Sequence, residues 1–455
     1  MTRKNDNLSV INIIRIPLLS LIILSCATGS GAFMEIDNAV EQGNFNAAIE
    51  SIKFAQNGGR VLYNERNAIS LFMDKGLLEH YAGNYTASSA DLQNAERLIE
   101  EAYTKSITQG FLSYIINDNA KDYPGEDFEN IYLNVFNALN YYNMGNIEGA
   151  LVEIRKLSMQ NGKLDMLAGK YEYTDPYTGE SIFDRTKKET GVSQLPQTKS
   201  VSFSNSALAR YLGALFFQAA GNSDSARIEF DQLYKAFESN RNIYGSRIPQ
   251  AAAEAQNVPA GKARLNIISF TGLSPVKEEQ LIYQYLPFQH PVLQFAYFKL
   301  PVLIKRPSMI TRIEVAVGGQ GSFNMELLED MSAVIEDTFN ARFSNILLKT
   351  YIRTIIKYAI ADITAAEASR NTSEFTGLLV ALGARAAMDS SERADIRMSR
   401  YLPDKAYIGG INLDPGTYDV YINYYHGNSV IYREEFPEVN VRAGRLNLIQ
   451  AVNLQ

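Results

Sequence analysis

The chain has one cysteine, three histidines and no tryptophan in 455 residues. A lone cysteine excludes an intramolecular disulfide and a thiolate metal cluster, so the fold rests on its apolar core. His80, His290 and His426 show no metal-ligand spacing, and no His-Glu-x-x-His occurs. A Gly-x-Ser-x-Gly nucleophile elbow is also missing. Sugar-binding platforms usually lean on Trp faces, so the absence of Trp weighs against a glycan site. The 27 tyrosines and 22 phenylalanines must supply the aromatic packing. Basic side chains number 43 against 50 acidic ones, a net of −7, with no dense Lys/Arg cluster. That balance excludes a nucleic-acid interface. Beyond the N-terminus no stretch reaches the roughly 20 apolar residues needed to span a bilayer. The nearest, 375–384, is ended by Arg385.

The N-terminus carries the strongest signal. Arg3, Lys4 and Arg15 precede a short apolar run over 16–25, the pattern of a secretory signal. Ile23-Leu24-Ser25-Cys26 resembles the lipobox of bacterial lipoproteins. The resemblance implies cleavage after Ser25 and acylation (palmitate among the chains) of Cys26. Residues 1–25 then form the signal peptide and 26–32 a lipidated tether. Each buried CH₂ contributes about 0.8 kcal/mol, so more than one acyl chain gives durable attachment. Residue 27 is alanine rather than the aspartate associated with inner-membrane retention, which points to the outer membrane, facing the periplasm.

Between 33 and 255 one turn recurs. Gly43-Asn44, Gly83-Asn84, Gly145-Asn146 and Gly221-Asn222 are each followed, five residues after the glycine, by Ala48, Ser88, Ala150 or Ala226. Nine residues after it stands Ile52, Leu92, Ile154 or Phe230, and seven before it Ile36, Gly76, Ala138 or Ala214. Glycine ends one helix in the left-handed conformation and asparagine starts the next. Small residues let antiparallel helices approach closely, and the apolar ones form the buried stripe. Helix pairs are expected over 68–81 with 85–101 and over 131–143 with 147–159, with an extra helix over 105–116 and a polar insert at 162–202. The pattern resembles tetratricopeptide repeats. It departs from them in its unequal spacing, with turn glycines 40, 62 and 76 residues apart.

Residues 256–263 read as a linker into a different C-terminal half, 264–455. Strands are expected over 264–270, 293–305, 311–317 and 322–327, then a long helix over 328–369 and a small-residue helix over 378–388. The chain should end in an antiparallel, β-sandwich-like meander over 406–452, whose last forty residues resemble small envelope modules of the PEGA type. The fold class expected is therefore α+β: a tetratricopeptide-like helical array followed by an α/β domain ending in that meander.

Other motifs carry less. Gly318-Gly319-Gln320-Gly321-Ser322 lacks a phosphate-loop lysine and reads as a hairpin turn. Asn117-Asp118-Asn119-Ala120-Lys121-Asp122 begins like a calcium loop but has Lys at the fifth place and Asp where glycine belongs, so it reads as a solvated loop. Glu392, Arg393, Asp395, Arg397 and Arg400 form a dense charged run, read either as an interdomain ion-pair network or as a partner patch. No catalytic residues, metal or cofactor are expected.

Several segments together resemble an uncharacterised family of bacterial repeat-containing lipoproteins. They are Gly76-Leu77-Leu78-Glu79-His80-Tyr81-Ala82-Gly83-Asn84-Tyr85, Tyr123-Pro124-Gly125-Glu126-Asp127-Phe128-Glu129, Ala150-Leu151-Val152-Glu153-Ile154-Arg155-Lys156 and Ala394-Asp395-Ile396-Arg397-Met398-Ser399-Arg400-Tyr401-Leu402-Pro403. The likeness implies a lipid-anchored envelope protein with a protein partner and no known chemistry. The expectation is a non-enzymatic scaffold; the alternative is a lipoprotein binding glycan or peptidoglycan fragments.

Overall fold

The computed structural model describes residues 30–57, 62–108, 118–168, 203, 205–245, 247–285, 295–362 and 393–455. Cys26, His290, Glu392 and the helix expected over 378–388 lie outside these residues, as do 169–202 of the polar insert.

Four helix hairpins follow one another: α1 Met34–Glu41 with α2 Phe45–Asn57, α3 Ala68–Tyr81 with α4 Tyr85–Thr108, α5 Asp127–Asn143 with α6 Ile147–Ala168, and α7 Ala207–Ala219 with α8 Ser223–Ser239. Each first helix ends in the same way. The glycine takes φ between +71° and +78°. Its amide bonds back to Val40, His80, Tyr142 or Gln218, and the next amide to Ala39, Glu79, Tyr141 or Phe217. This double closure satisfies the orphan carbonyls of a helix end. Asn44, Asn146 and Asn222 then cap the second helix, accepting from Ala47, Gly149 and Ser225. Asn84 instead turns its amide to Glu79 and Asn46.

The spaced residues are all buried. At Gly76 the helices are closest: a Cβ there would lie 2.6 Å from Leu92. Helix α4 continues to Thr108, absorbing the start of the separate helix expected over 105–116, and α6 absorbs 162–168 of the insert.

After the short α9 Arg241–Tyr244 and α10 Gln250–Gln256, the chain changes class where expected. The strands are β1 Ala263–Tyr285, β2 Phe295–Arg306, β3 Arg312–Val317, β4 Gly321–Asn324 and β5 Glu326–Asp330. The long α11 Met331–Asp362 follows, then β6 Pro403–Leu413, β7 Gly416–His426, β8 Ser429–Val441 and β9 Asn447–Asn453. They form a five-stranded sheet, β2-β1-β6-β5 with β9 on β1, and a four-stranded sheet, β4-β3-β7-β8.

Strand β1 runs far beyond 270. It passes a break at Leu273–Val276, beside Gly272 with φ +62°, to pair along β2. The stretch expected as one strand over 322–327 is divided: β4 pairs with β3 in one sheet, and β5 with β6 in the other. The expected closing meander is corrected in the same way. Strands β6 and β7 lie in different sheets, only β7–β8 form a hairpin, and β9 returns to the first sheet parallel to β1. Local alternation marks a strand but says nothing of which sheet receives it.

The layers follow from β1. Leu265 and Ile267 face the four-stranded sheet and pack with Val315, Val420 and Ile422. Ile268 and Phe270 face the other way, into a core with Phe136, Tyr211, Leu328, Met331 and Ile408. Phe136 and Phe270 ring centroids are 5.0 Å apart. Both faces are buried, and the polar residues between them, Arg264, Asn266, Ser269 and Thr271, are buried as well. Helices, five-stranded sheet and four-stranded sheet are three layers, and the class boundary at 256–263 is a boundary in sequence but not in packing. Helix α5, buried on every side although it carries Glu129, Asn134, Asn137 and Asn140, lies inside this sandwich.

These contacts predict opposite reasons for failure at two glycines. Gly76→Ala overpacks the α3–α4 contact and costs about 1–3 kcal/mol despite alanine's better helix propensity. Gly83→Ala meets no atom within 4 Å but is held at φ +78°, at a cost of about 1–2 kcal/mol. Denaturant unfolding measures both, and a Gly76→Ala protein as stable as wild type contradicts the close approach.

Candidate functional site: a polar seam and an adjoining cleft

Besides the apolar core that helices and sheets share, polar residues join the two. Segment 393–402 has no regular secondary structure and leads into β6. It crosses the first helices as a strap. Asp74 on α3 is fully buried. One of its oxygens accepts from the Arg400 amide at 2.7 Å and the Ser399 hydroxyl at 2.8 Å; the other accepts from Tyr63 at 2.6 Å. Glu129 on α5, also fully buried, accepts from the Ser399 amide, from the Tyr123 hydroxyl at 2.8 Å and from the Glu126 amide at 2.7 Å. The Glu126 contact belongs to a capping box at the start of α5. Burial pushes Asp74 up to about 6. Burial and the neighbouring Glu126 push Glu129 up to about 7.

The charged run turns inward. Arg397 is 9 % exposed. It makes a two-pronged pair with Asp395 at 2.8 Å and donates to the carbonyls of Arg66, Lys121 and Asp118 at 3.1, 2.8 and 2.7 Å. Arg400 pairs with Asp37 at 2.8 Å and stacks on Phe33 at 4.3 Å. Tyr401 donates to Asp37 and accepts from Tyr81. Of the run, Arg393 is exposed, and its carbonyl accepts from Asn119.

As a surface partner patch the run is therefore corrected: Arg397 and Arg400 are internal ties. The solvated-loop reading of 117–122 is corrected at Asp118. Asp118 lies 3.5 Å from Lys349 and 3.6 Å from Arg353 on α11, which hold its carboxyl below the usual range against the cost of burial.

Two further carboxylates tie other layers. Glu126 pairs with Lys277 of β1 and Arg342 of α11. Glu329, fully buried on β5, accepts from Tyr132 at 2.6 Å, Ser206 at 2.9 Å, the Leu208 amide at 2.7 Å and Tyr244 at 3.3 Å. Both oxygens of Asp74, Glu126, Glu129 and Glu329 are engaged by neighbours. This is the geometry of structural connectors rather than of a general acid–base pair, which needs a group facing substrate. Among the described residues no cluster of three or more His, Cys, Asp or Glu could hold a metal ion.

Beside the seam a cleft of about 410 Å³ opens between the first two glycine turns and strands β8–β9. Its floor is His80. Asn140 Nδ2 donates to Ser88 Oγ, which donates to the Gly76 carbonyl, so Asn140 Oδ1 is left to accept from His80 Nδ1 at 2.6 Å. Burial lowers His80 to about 4, so the ring is neutral. Its Nε2 lies 3.1 Å from the Gln450 side-chain amide oxygen. A neutral Nε2 accepts, so this contact is a hydrogen bond only when the Gln450 amide nitrogen is the atom toward the ring. Glu434 also lines the cleft, pushed up to about 7 by burial. His426 is elsewhere, exposed, with Nδ1 2.7 Å from the Met309 carbonyl.

Sequence reading located the four turns but missed Asp74, Glu129 and Glu329. No local signal marked them: α5 interleaves asparagines with its apolar residues, and its burial on every side is set by long-range packing. Compared with known protein families, curated proteins and solved structures, the chain matches none.

The seam generates two predictions. Asp74 and Glu129 have raised folded pKa values, so the stability they contribute is full below about pH 4 and is lost as pH rises through 6 to 7. His80 acts oppositely: its contribution is present above pH 6.5 and is lost as pH falls towards 4. The unfolding midpoint should therefore rise on acidification from pH 8 towards 6, and the double variant Asp74→Asn/Glu129→Gln should flatten that slope. A slope unchanged in the variant contradicts the assignment. Separately, Arg397→Ala orphans three carbonyls and Asp395 and should cost about 3–5 kcal/mol. Arg397→Lys should recover only part of this, because lysine cannot reproduce the fork; full recovery in urea unfolding would contradict the geometry.

Proposed function

We propose that the protein is a lipid-anchored, non-enzymatic binding and assembly protein of the bacterial cell envelope, held at the membrane through Cys26 and engaging an envelope protein through its helical array. The observation that carries the reading is the seam: the array's buried acids are committed to fastening it to the sheets, which makes it a rigid platform. The tetratricopeptide likeness supports the same reading, since the four hairpins share that family's turn and small-residue pattern. Stacked helix pairs commonly grip peptides or proteins.

The usual inner face of such an array is not free here. Helices α5 and α7 are covered by the five-stranded sheet and α11. The partner surface is therefore assigned to the second helices, where Phe54 on α2, Val152 on α6 and Ile228 on α8 are 76, 48 and 49 % exposed. A photo-crosslinking residue at each of these positions, in cells, should trap the same envelope protein. Crosslinks no richer than those from an exposed position on β8 would remove the support. Lipidation is tested by labelled palmitate: Cys26→Ala should take up none, and equal labelling of the variant and wild type ends the anchor assignment. A second reading, capture of a small envelope ligand, is favoured by the cleft.

A further inference from the structure

The cleft has a chemistry of its own. Its lining includes Glu41 and Glu434 and no lysine or arginine. Phe45, Tyr85 and Tyr432 bring aromatic rings to it, with Tyr432 44 % exposed. Asn453 is 5 % exposed. Its Oδ1 accepts from the Gln455 amide at 3.1 Å, while its Nδ2 has no hydrogen-bond partner among the described residues. That nitrogen is itself shut off from solvent, so Asn453 walls the cleft rather than offering it a donor. Glu434 takes hydrogen bonds from the Val452 amide and, at 3.4 Å, from Tyr424, with no cationic partner among the described residues.

We propose that this cleft binds a small ligand bearing an ammonium group, seated against Glu434 among the rings of Phe45, Tyr85 and Tyr432. A half-buried carboxylate without a counter-charge gains a charge-assisted hydrogen bond when a cation arrives. Aromatic faces around it add cation–π attraction. The acidic lining rejects carboxylates and phosphates. The size suits a monosaccharide or an amino-acid residue. Amino sugars and peptide amines share this chemistry. The site does not depend on the protein-binding reading and stands or falls separately from it.

Tyr424 from β7 bonds Glu434, and the other titratable groups lining the cleft are His80, Tyr81 and Tyr85 from the helices, Glu41 from α1 and Tyr432 from its own strand. Burial holds Tyr81, Tyr85, Tyr424 and Tyr432 above the ordinary phenol range, and His80 is neutral above about 4. Binding should therefore weaken as pH falls below about 7, where Glu434 takes a proton.

The test is isothermal calorimetry on the mature chain at pH 7.5 with glucosamine, lysine amide and the neutral N-acetylglucosamine. The expected result is that glucosamine or lysine amide binds at least about tenfold more tightly than N-acetylglucosamine, the stronger of the two identifying a sugar or a peptide source. Glu434→Gln should abolish the preference, and Tyr432→Ala, at an exposed position, should weaken it several-fold with an unchanged melting temperature. Equal binding of N-acetylglucosamine, no heat from either amine, or a preference that survives Glu434→Gln overturns the proposal.

Discussion

A carboxylate taken out of water costs several kcal/mol unless hydrogen bonds replace its hydration. Asp74 and Glu129 meet that cost with groups from one short strap, the amides of Ser399 and Arg400 and the Ser399 hydroxyl. The rest of the architecture depends on this exchange. The strap is the last chain before β6, which is paired with β1 and β5 in the five-stranded sheet. Fixing it to α3 and α5 fixes the sheet against the helices. Arg397 and Arg400 then extend the tie to α1 and to the segment before α5. Removing either acid orphans the strap's donors, and removing the strap leaves two buried charges.

The parts of the fold legible in the sequence are those specified locally. A glycine that must sit at positive φ, with an asparagine cap and small residues at fixed offsets, states a helix hairpin within a dozen residues, and all four appear. Helix α3 has the bounds that its periodicity sets. What stayed hidden depends on partners far away in the chain. The parallel return of β9 to β1, the division of 322–327 between two sheets and the inward turn of Arg397 and Arg400 are set by long-range packing. A charged run looks the same whether water or backbone carbonyls receive it. The cleft belongs to this class as well: His80 and Glu434 lie in opposite halves of the chain, and only the fold brings them together.

The anchor proposed at Cys26 would constrain this architecture. The described chain enters α1 at Met34, only eight positions after Cys26. Helix α1 is itself tied to the strap through Asp37. A body attached at that point is presented close to the membrane, with the cleft next to the first glycine turn. This differs from an array on a long leash, where the repeats would move independently of their cargo.

The central claim is that helices and sheets form one cooperative body through the strap. Native-state hydrogen exchange on the mature chain tests it directly. Cooperative units exchange together, while independent ones open at different free energies. The account predicts that α3, α5, β1 and β6 share one slow, denaturant-dependent opening in wild type, and that Arg397→Ala uncouples them. If α3 and α5 exchange by a separate, lower-energy opening while β1 and β6 stay protected in the unaltered protein, the helices and sheets are independent and the claim fails.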